Sequence, residues 1–570
     1  MISTTRSAAL GLGALAVSAV LAASAVAQQA DAPPSARPNI VVILADDLGF
    51  TDISPFGGEI NTPNIAALAR EGVAFTNYHT AGSCAPARAM LLTGVDSHRN
   101  GVPNVPEALP PEQMEHDHYQ GVLGGNVVTI ATMLRASGYH TYMTGKWHLG
   151  QTPELLPSAR GFERTIVMAD TGADNWEQRP YLPIYEKANW YADGEEHTLP
   201  DDFYSSHYFI DKTIEFIGEN AADGAPFFAY IPFQAVHIPV QAPREYTEKY
   251  LGLYDDGWTV MREKRRQAAI AAGVMPADVE AVVTPGTRDW EALSEDEKRY
   301  QSKRMAVYAG MVDAMDMNIG RLMSYLKEIG EYENTIFVFT SDNGAEGSDP
   351  IDPQGFNLLG TWLEEVGYST DYETLGERGS FNAIGASNAT ISASPLAYYK
   401  FFASEGGLRV PLVMSGPGIE RRGVLSDALT FVTDIAPTIL ALAGLEDHRG
   451  AWQGSPMEQI TGKDLSPVLA GTTNGVRSDA EFIGYELGGN SALFKGDYKV
   501  VFNRGPLGDD TWHLFNIKLD PGESRDLATT EPGRLRDMRA DYDRYVVDND
   551  VLPVPEGYDQ RRQIFINGRR

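Results

Sequence analysis

The sequence predicts an α/β fold: a parallel sheet whose strands end in charged and polar residues, followed by a smaller antiparallel sheet closed by a helix. Three observations carry this. NIVVILADDLGF (39–50) and TIFVFTSDNGAEG (335–347) are continuous apolar runs, one ending in Asp46 and Asp47 and the other in Asp342 and Asn343. A run apolar on both faces suits a central parallel strand covered on both sides. GYHTYMTGKWHLG (138–150) and PFFAYIPFQAVHIP (226–239) repeat the pattern, one leading into Lys146 and His148 and the other into His237. From about residue 470, ALFKGDYKVVF and TWHLFNIKLDP read as antiparallel strands, and RLRDMRADYDRYVVDND as a closing helix.

In chain order, the N-terminus comes first. Arg6 precedes an Ala-rich apolar run, and Ala25-Val26-Ala27 fits a small-residue cleavage site. Residues 1–27 are therefore expected to be a cleaved signal peptide, and the mature protein to be periplasmic or secreted. No second apolar stretch of about 20 residues follows, which argues against stable membrane insertion. A net charge of −31 argues against nucleic-acid binding, because a phosphate-binding surface needs a basic footprint. An acidic chain that acts on an anion must make its site locally cationic.

Ligands in open α/β sheets bind beyond the strand C-termini, so the strand ends are the candidate site. Asp46, Asp47, Asp342 and the side-chain oxygen of Asn343 form an all-oxygen set. Hard divalent cations want that set, whereas zinc would want His or Cys. Ligand type alone decides little between calcium and magnesium; several protein ligands plus a bound anion suit the larger coordination number of calcium.

SCAPARAMLLTG (83–94) holds the only cysteine of the 570-residue chain. Cys84 cannot form an internal disulfide. Its neighbours read as a short helix with Pro86 in the first turn, which places the thiol at a helix N-terminus that favours an anion. Lys400, in YYKFFASEGGLRVP, would on residue type alone be a surface lysine. Residues 255–330 are helix-prone, with a methionine stripe that reads as core packing. Residues 345–398, rich in Gly, Ser and Asn, are expected to line the mouth of the site.

CAPARAMLLTG resembles the sulfatase signature C-x-P-x-R followed by a small helix and Thr-Gly. GYHTYMTGKWHLG resembles a second signature of that family, and Lys400 matches its K-x-x-x-x-E-G-G pattern. The resemblance runs from Pro38 to about residue 550 and is strongest to bacterial arylsulfatases. It implies a large mixed, mostly parallel sheet sandwiched by helices, with a catalytic domain over 38–465 and a C-terminal subdomain over 470–570. It implies that Cys84 is oxidised to formylglycine (3-oxoalanine) by a formylglycine-generating enzyme acting on the unfolded chain. It also implies one calcium per subunit on Asp46, Asp47, residue 84, Asp342 and Asn343.

By the same resemblance, Arg88 orients the formylglycine hydrate and His148 handles its second hydroxyl. Lys146, Lys400 and His237 hold the sulfate oxygens, and His237 or Lys400 protonates the leaving oxygen. The implied reaction is hydrolysis of a sulfate monoester, aryl sulfate to phenol and inorganic sulfate. Three carboxylates, the cations Arg88, Lys146 and Lys400, and a divalent metal sum to about +2, the local positive field that the overall composition lacks. Two alternatives stand beside it. One is a phosphonate monoester or phosphodiester hydrolase that shares the nucleophile, although those relatives tend to carry His where this chain has Asn343. The other is an inactive calcium- or glycan-binding relative.

Overall fold

The computed structural model describes residue 1, residues 37–352 and residues 359–567; residues 2–27 of the expected signal peptide lie outside the described residues. The main sheet has ten strands. In chain order they are β1 (Asn39–Ala45), β2 (Gly72–Phe75), β3 (His140–Lys146), β4 (Arg164–Met168), β5 (Trp190–Ala192), β6 (Glu195–Glu196), β7 (Phe227–Pro232), β8 (Thr335–Ser341), β9 (Leu412–Ser415) and β10 (Val424–Ser426). Their order across the sheet is β10-β2-β9-β8-β1-β7-β3-β4-β5-β6. The central strands β8, β1, β7, β3 and β4 are all parallel, while β9, β5 and β6 run antiparallel to their neighbours.

The apolar runs form the middle of this sheet for the expected reason. Val41, Ile43 and Ala45 of β1 face one core, whereas Ile40, Val42 and Leu44 face the other, and all are buried. The period of two thus divides the strand between two helical layers. The helices that matter below are α1 (Cys84–Thr93), α2 (Ser205–Asn220), α3 (Gly257–Ala271), α4 (Glu295–Glu328), α5 (Gly385–Ala393), α6 (Pro532–Asp548) and α7 (Gln560–Asn567). One core packs α2, α3, α4 and α5 against the sheet; the other packs α1 on the opposite face. Met305, Met311, Met315 and Met323 of α4 are buried, as the methionine stripe predicts.

The C-terminal part is a four-stranded antiparallel sheet, β11 (Phe482–Leu487), β12 (Asn490–Lys495), β13 (Tyr498–Phe502) and β14 (Trp512–Asn516), with α6 packed on it. The sequence reading missed β11 and α7. It also left 345–398 irregular, where the structure has helices at Gly360–Glu365 and at α5. No helix among the described residues is long and apolar enough to cross a membrane.

Candidate active site

Every predicted site residue but Lys400 lies at the C-terminal edge of the central strands or on the helix facing it, and Lys400 comes in on the loop between Gly385–Ala393 and Glu405–Leu408. The parallel register pairs Ala45 with Ser341, so the carboxylates of Asp46 and Asp342 follow side by side. Lys146 is the last residue of β3, and His237 follows β7 by a short loop. Cys84 opens α1, which ends at Gly94 in the left-handed region with its N–H on Met90 O. Arg88 lies one turn into α1, pointing across to Asp342.

The loops are held by close backbone approach. Gly344 N–H donates to Gly407 O at 3.0 Å. A Cβ at Gly344 would meet Gly406 O at 1.9 Å, so only glycine lets the Asn343 loop sit against the Glu405-Gly406-Gly407 turn. That contact, with Lys400 N–H donating to Ala345 O, brings Lys400 back to the metal-ligand candidates. Asp47 (φ 64°) and His148 (φ 56°) both adopt left-handed backbone. Such residues cost on the order of 1–3 kcal/mol each and persist where the surroundings fix them.

The side chains interlock. Arg88 donates from Nη2 and Nε to Asp342 Oδ2 at 2.6 and 3.0 Å and from Nη1 to the carbonyl of Lys146 at 2.8 Å. Lys146 Nζ donates to Asp46 Oδ2 at 2.7 Å. Lys400 Nζ reaches Asp47 Oδ1 at 2.7 Å and Glu346 Oε2 at 3.0 Å. Asn343 Nδ2 also donates to Asp47 Oδ1, at 2.7 Å. All of these groups are buried.

Three oxygens of this cluster have no hydrogen-bond partner among the described residues: Asp46 Oδ1, Asp47 Oδ2 and Asn343 Oδ1. Ligand atoms of Asp46, Asp342 and Cys84 lie within 4.8 Å of one another, as do those of Asp46, Asp47 and His237. Buried, unsatisfied oxygens of this kind are costly unless a cation takes them, and an oxygen donor set suits a hard divalent ion. The electrostatics agree. Burial, then Asp342, pushes Asp46 well above the carboxylate range against the pull of Lys146 and Arg88. Burial, with Glu346 and Asp342, outweighs Lys400 and pushes Asp47 up to about 7. The residues present therefore fit a divalent cation.

Burial alone would raise the Cys84 thiol, but Lys146, Lys400 and His148 outweigh it and hold it well below its ordinary value. Residue 84 is thus a strongly anion-favouring position. His148 Nε2 pairs with Glu107 Oε2 at 3.2 Å, while Nδ1 has no partner among the described residues. Glu107 and Cys84 outweigh burial and raise His148. His237 behaves oppositely: burial, Lys146 and Lys400 hold it well below its ordinary value. Its Nδ1 donates to Ile238 O at 2.6 Å, leaving Nε2 to face the cluster, 3.8 Å from Asp47 Oδ2.

Sequence reasoning missed two acidic residues. Glu346 lowers the expected charge of the metal-loaded site from about +2 to about +1. It was within reach of the motif, three residues after Asn343 in SDNGAEG. Glu107, which holds His148 and accepts from Tyr185 Oη at 2.5 Å, comes from a proline-rich loop with no periodicity to flag it. The cluster opens into a cavity of about 780 Å³, with Cys84, His237 and Lys400 on its wall. Glu346–Pro350 and Ile384–Ser387 line it too, so the 345–398 segment does border the mouth.

A family model described as Sulfatase matches residues 38–445. An uncharacterized sulfatase of Schizosaccharomyces pombe is 37% identical over 540 residues, covering 92% of this chain and 96% of the relative. An arylsulfatase of Klebsiella aerogenes is 36% identical over 461 residues, covering 80% and 96%. A crystal structure of Ps i-CgsB, solved with a neocarrahexaose, superposes with a TM-score of 0.64 over 94% of this chain and 97% of that one, at 23% identity. At that identity the likeness shows a shared fold.

Proposed function

The chain belongs to the sulfatase family, and from that premise we propose that it hydrolyses sulfate monoesters, aryl sulfates among them, at the Cys84 cluster. Formylglycine at residue 84 would supply a hydrated aldehyde nucleophile, and calcium held by Asp46, Asp47, residue 84, Asp342 and Asn343 would supply positive charge for the sulfate oxygens. The observation that carries this reading is the set of oxygens on Asp46, Asp47 and Asn343 without a partner among the described residues, with Asp46 and Asp342 beside Cys84 and two buried lysines on the cluster.

The remaining roles fall to this chain's own side chains. Lys146 and Lys400 present fixed ammonium groups to an anion, a preorganised field that needs no rearrangement during reaction. Arg88 holds Asp342 and the end of β3 in place beside residue 84. His148, held by Glu107 through Nε2, takes a proton from residue 84 at its other ring nitrogen, Nδ1. His237 Nε2 is the ring nitrogen left for the substrate, and the leaving oxygen is protonated by Lys400 or by His237 once Nε2 carries a proton. We read residues 38–465 as the catalytic domain, residues 470–570 as a C-terminal subdomain, and the protein as exported after modification by a formylglycine-generating enzyme.

The test joins two measurements: the intact mass of the peptide containing residue 84, and turnover of 4-nitrophenyl sulfate against 4-nitrophenyl phosphate. Aldehyde at residue 84, with sulfate preferred and Cys84→Ser losing multiple turnover, is expected. An unmodified thiol in a fully active enzyme would end the formylglycine reading, and preferred phosphate turnover would end the sulfatase specificity.

A further inference from the structure

The cavity above Cys84 has a wall that belongs neither to the strand ends nor to their loops. It comes from the last described helix, α7, whose Ile564, Phe565 and Ile566 line the cavity together with Leu182, Ile238 and Leu507, with Gln560 and Arg562 from the first turn of the same helix. The helix is seated, not loosely apposed. Ile564 packs against the core that contains α1, and Phe565 against a separate apolar cluster built from Tyr181, Leu182, Ile238 and residues of 359–383. Asn567 Nδ2 donates to the carbonyls of Glu107 and Leu109, each at 2.9 Å, and Tyr558 Oη donates to Ala108 O at 3.0 Å. These bonds pin α7 to the turn that carries Glu107, the partner of His148.

Some of the polar side chains around the mouth are paired, while Asp349 Oδ1 has no hydrogen-bond partner among the described residues. Arg304 Nη1 reaches Asp349 Oδ2 at 2.7 Å, Arg288 Nη2 reaches Glu297 Oε1 at 3.3 Å, and Asn388 Nδ2 donates to Gln301 O at 3.3 Å. Most of the accessible lining is apolar, so a sugar would leave many of its hydroxyls unmet, which costs affinity. An apolar body instead gains the area that it removes from water. A cavity of about 780 Å³ also far exceeds a single ring and suits a ligand of drug size.

We propose that α7 is the specificity wall of the site: Ile564 and Phe565 select sulfate esters of extended apolar alcohols, with the anionic end at residue 84. The proposal rests on the sulfatase reading and deepens it by naming the body of the substrate.

The experiment compares wild type, Phe565→Leu and the double variant Ile564→Ala/Phe565→Ala on 2-naphthyl sulfate, methyl sulfate and glucose 6-sulfate. Binding of 2-naphthalenesulfonate, which has no ester bond to break, is measured alongside. Variant-to-wild-type ratios for each ester cancel differences in leaving-group reactivity. The wild type is expected to prefer 2-naphthyl sulfate to glucose 6-sulfate. The double variant is expected to lose about tenfold or more in kcat/KM on 2-naphthyl sulfate, mainly through KM, with a much smaller loss on methyl sulfate. Phe565→Leu, which keeps the seat of the helix, is expected to fall between. The Kd of 2-naphthalenesulfonate should rise in parallel. Equal losses on the two esters, or an unchanged Kd in a folded variant, would overturn the assignment of α7. If no sulfate ester is turned over but 2-naphthalenesulfonate still binds and the double variant weakens it, α7 keeps its role and the sulfatase reading falls.

Discussion

Two buried charge clusters lie close together in this molecule, and they are built on opposite terms. At the strand ends, Asp46, Asp47 and Asn343 each keep an oxygen without a partner among the described residues, and Asp47 is pushed up to about 7. At the joint with the C-terminal sheet, Glu405 takes His79 on both oxygens, Lys499 at 2.9 Å on one and Arg409 at 2.8 Å on the other. Lys499 also reaches Glu523 Oε1 at 2.9 Å, and Glu523 Oε2 accepts from Glu405 N–H at 3.2 Å. Lys499, His79 and Arg409 outweigh burial there and hold Glu405 well below its ordinary value. A cluster whose carboxylate oxygens are all paired holds the fold together, whereas one whose oxygens are left short of partners is kept for a ligand.

That contrast can be broken or sharpened by experiment, and the largest effect is expected at the active cluster. Chelation should remove activity by about 100-fold or more, with recovery on adding calcium, because the partnerless oxygens then lack their cation. The melting temperature should fall on chelation and rise with free calcium, since a ligand of the folded state stabilises it. An unchanged rate and melting temperature in stripped protein would remove the metal role.

Lys499→Met probes the other cluster. Breaking a buried pair by removing one partner strands the other's charge, so a loss of roughly 3–5 kcal/mol is expected in denaturant unfolding. Activity per folded molecule should stay within a few-fold of wild type. A large kcat loss without a stability loss would erase the distinction between the clusters.

A second joint gives a pH signature. His98, buried between Asp96 Oδ1 at 3.2 Å and Glu486 Oε2 at 2.8 Å, is raised from 6.5 to about 9 because these carboxylates outweigh burial. Its folded value is the higher one, so its contribution is complete below about pH 6.5 and is lost as pH rises through about 9. The shift corresponds to a few kcal/mol at most. Unfolding midpoints from pH 6 to 10 should fall in wild type and flatten in His98→Gln; the same slope in both would refute the assignment.

The smallest expected effect separates the acid roles. If His237 protonates the leaving oxygen, His237→Ala should cost about tenfold more in kcat/KM on an alkyl sulfate than on 4-nitrophenyl sulfate, because a basic leaving group needs the proton more. Equal losses, with a substrate-dependent loss in Lys400→Ala, would give the role to the lysine.

Much of the site was legible because its residues sit at fixed offsets from strong local patterns. An apolar run with both faces buried announces a central strand, so Asp46, Asp47, Asp342, Asn343, Lys146 and His237 could be placed at its end. The helix read into CAPARAMLLTG put Cys84 at its first turn and Arg88 one turn later. Glu107 escaped because its loop has no period, and α7 because eight residues of weak amphipathicity at the end of the chain carry no signal of where they dock.

The sequence by itself determined the parallel core, the oxygen donors, the helix that bears Cys84 and Arg88, and Lys146 at a strand end, since each follows from nearest-neighbour chemistry and a repeat of two or 3.6 residues; Lys400 was legible only through a family pattern. Tertiary structure alone decided which charges meet. Lys400 is adjacent to Asp47 only because Gly344 and Gly406 let two loops touch, and the net field fell when Glu346 joined them. It also decided that α7 returns to wall the cavity, through bonds between residues more than 400 positions apart. Contacts at such separations depend on the packed shape of the whole chain, and no local pattern encodes them.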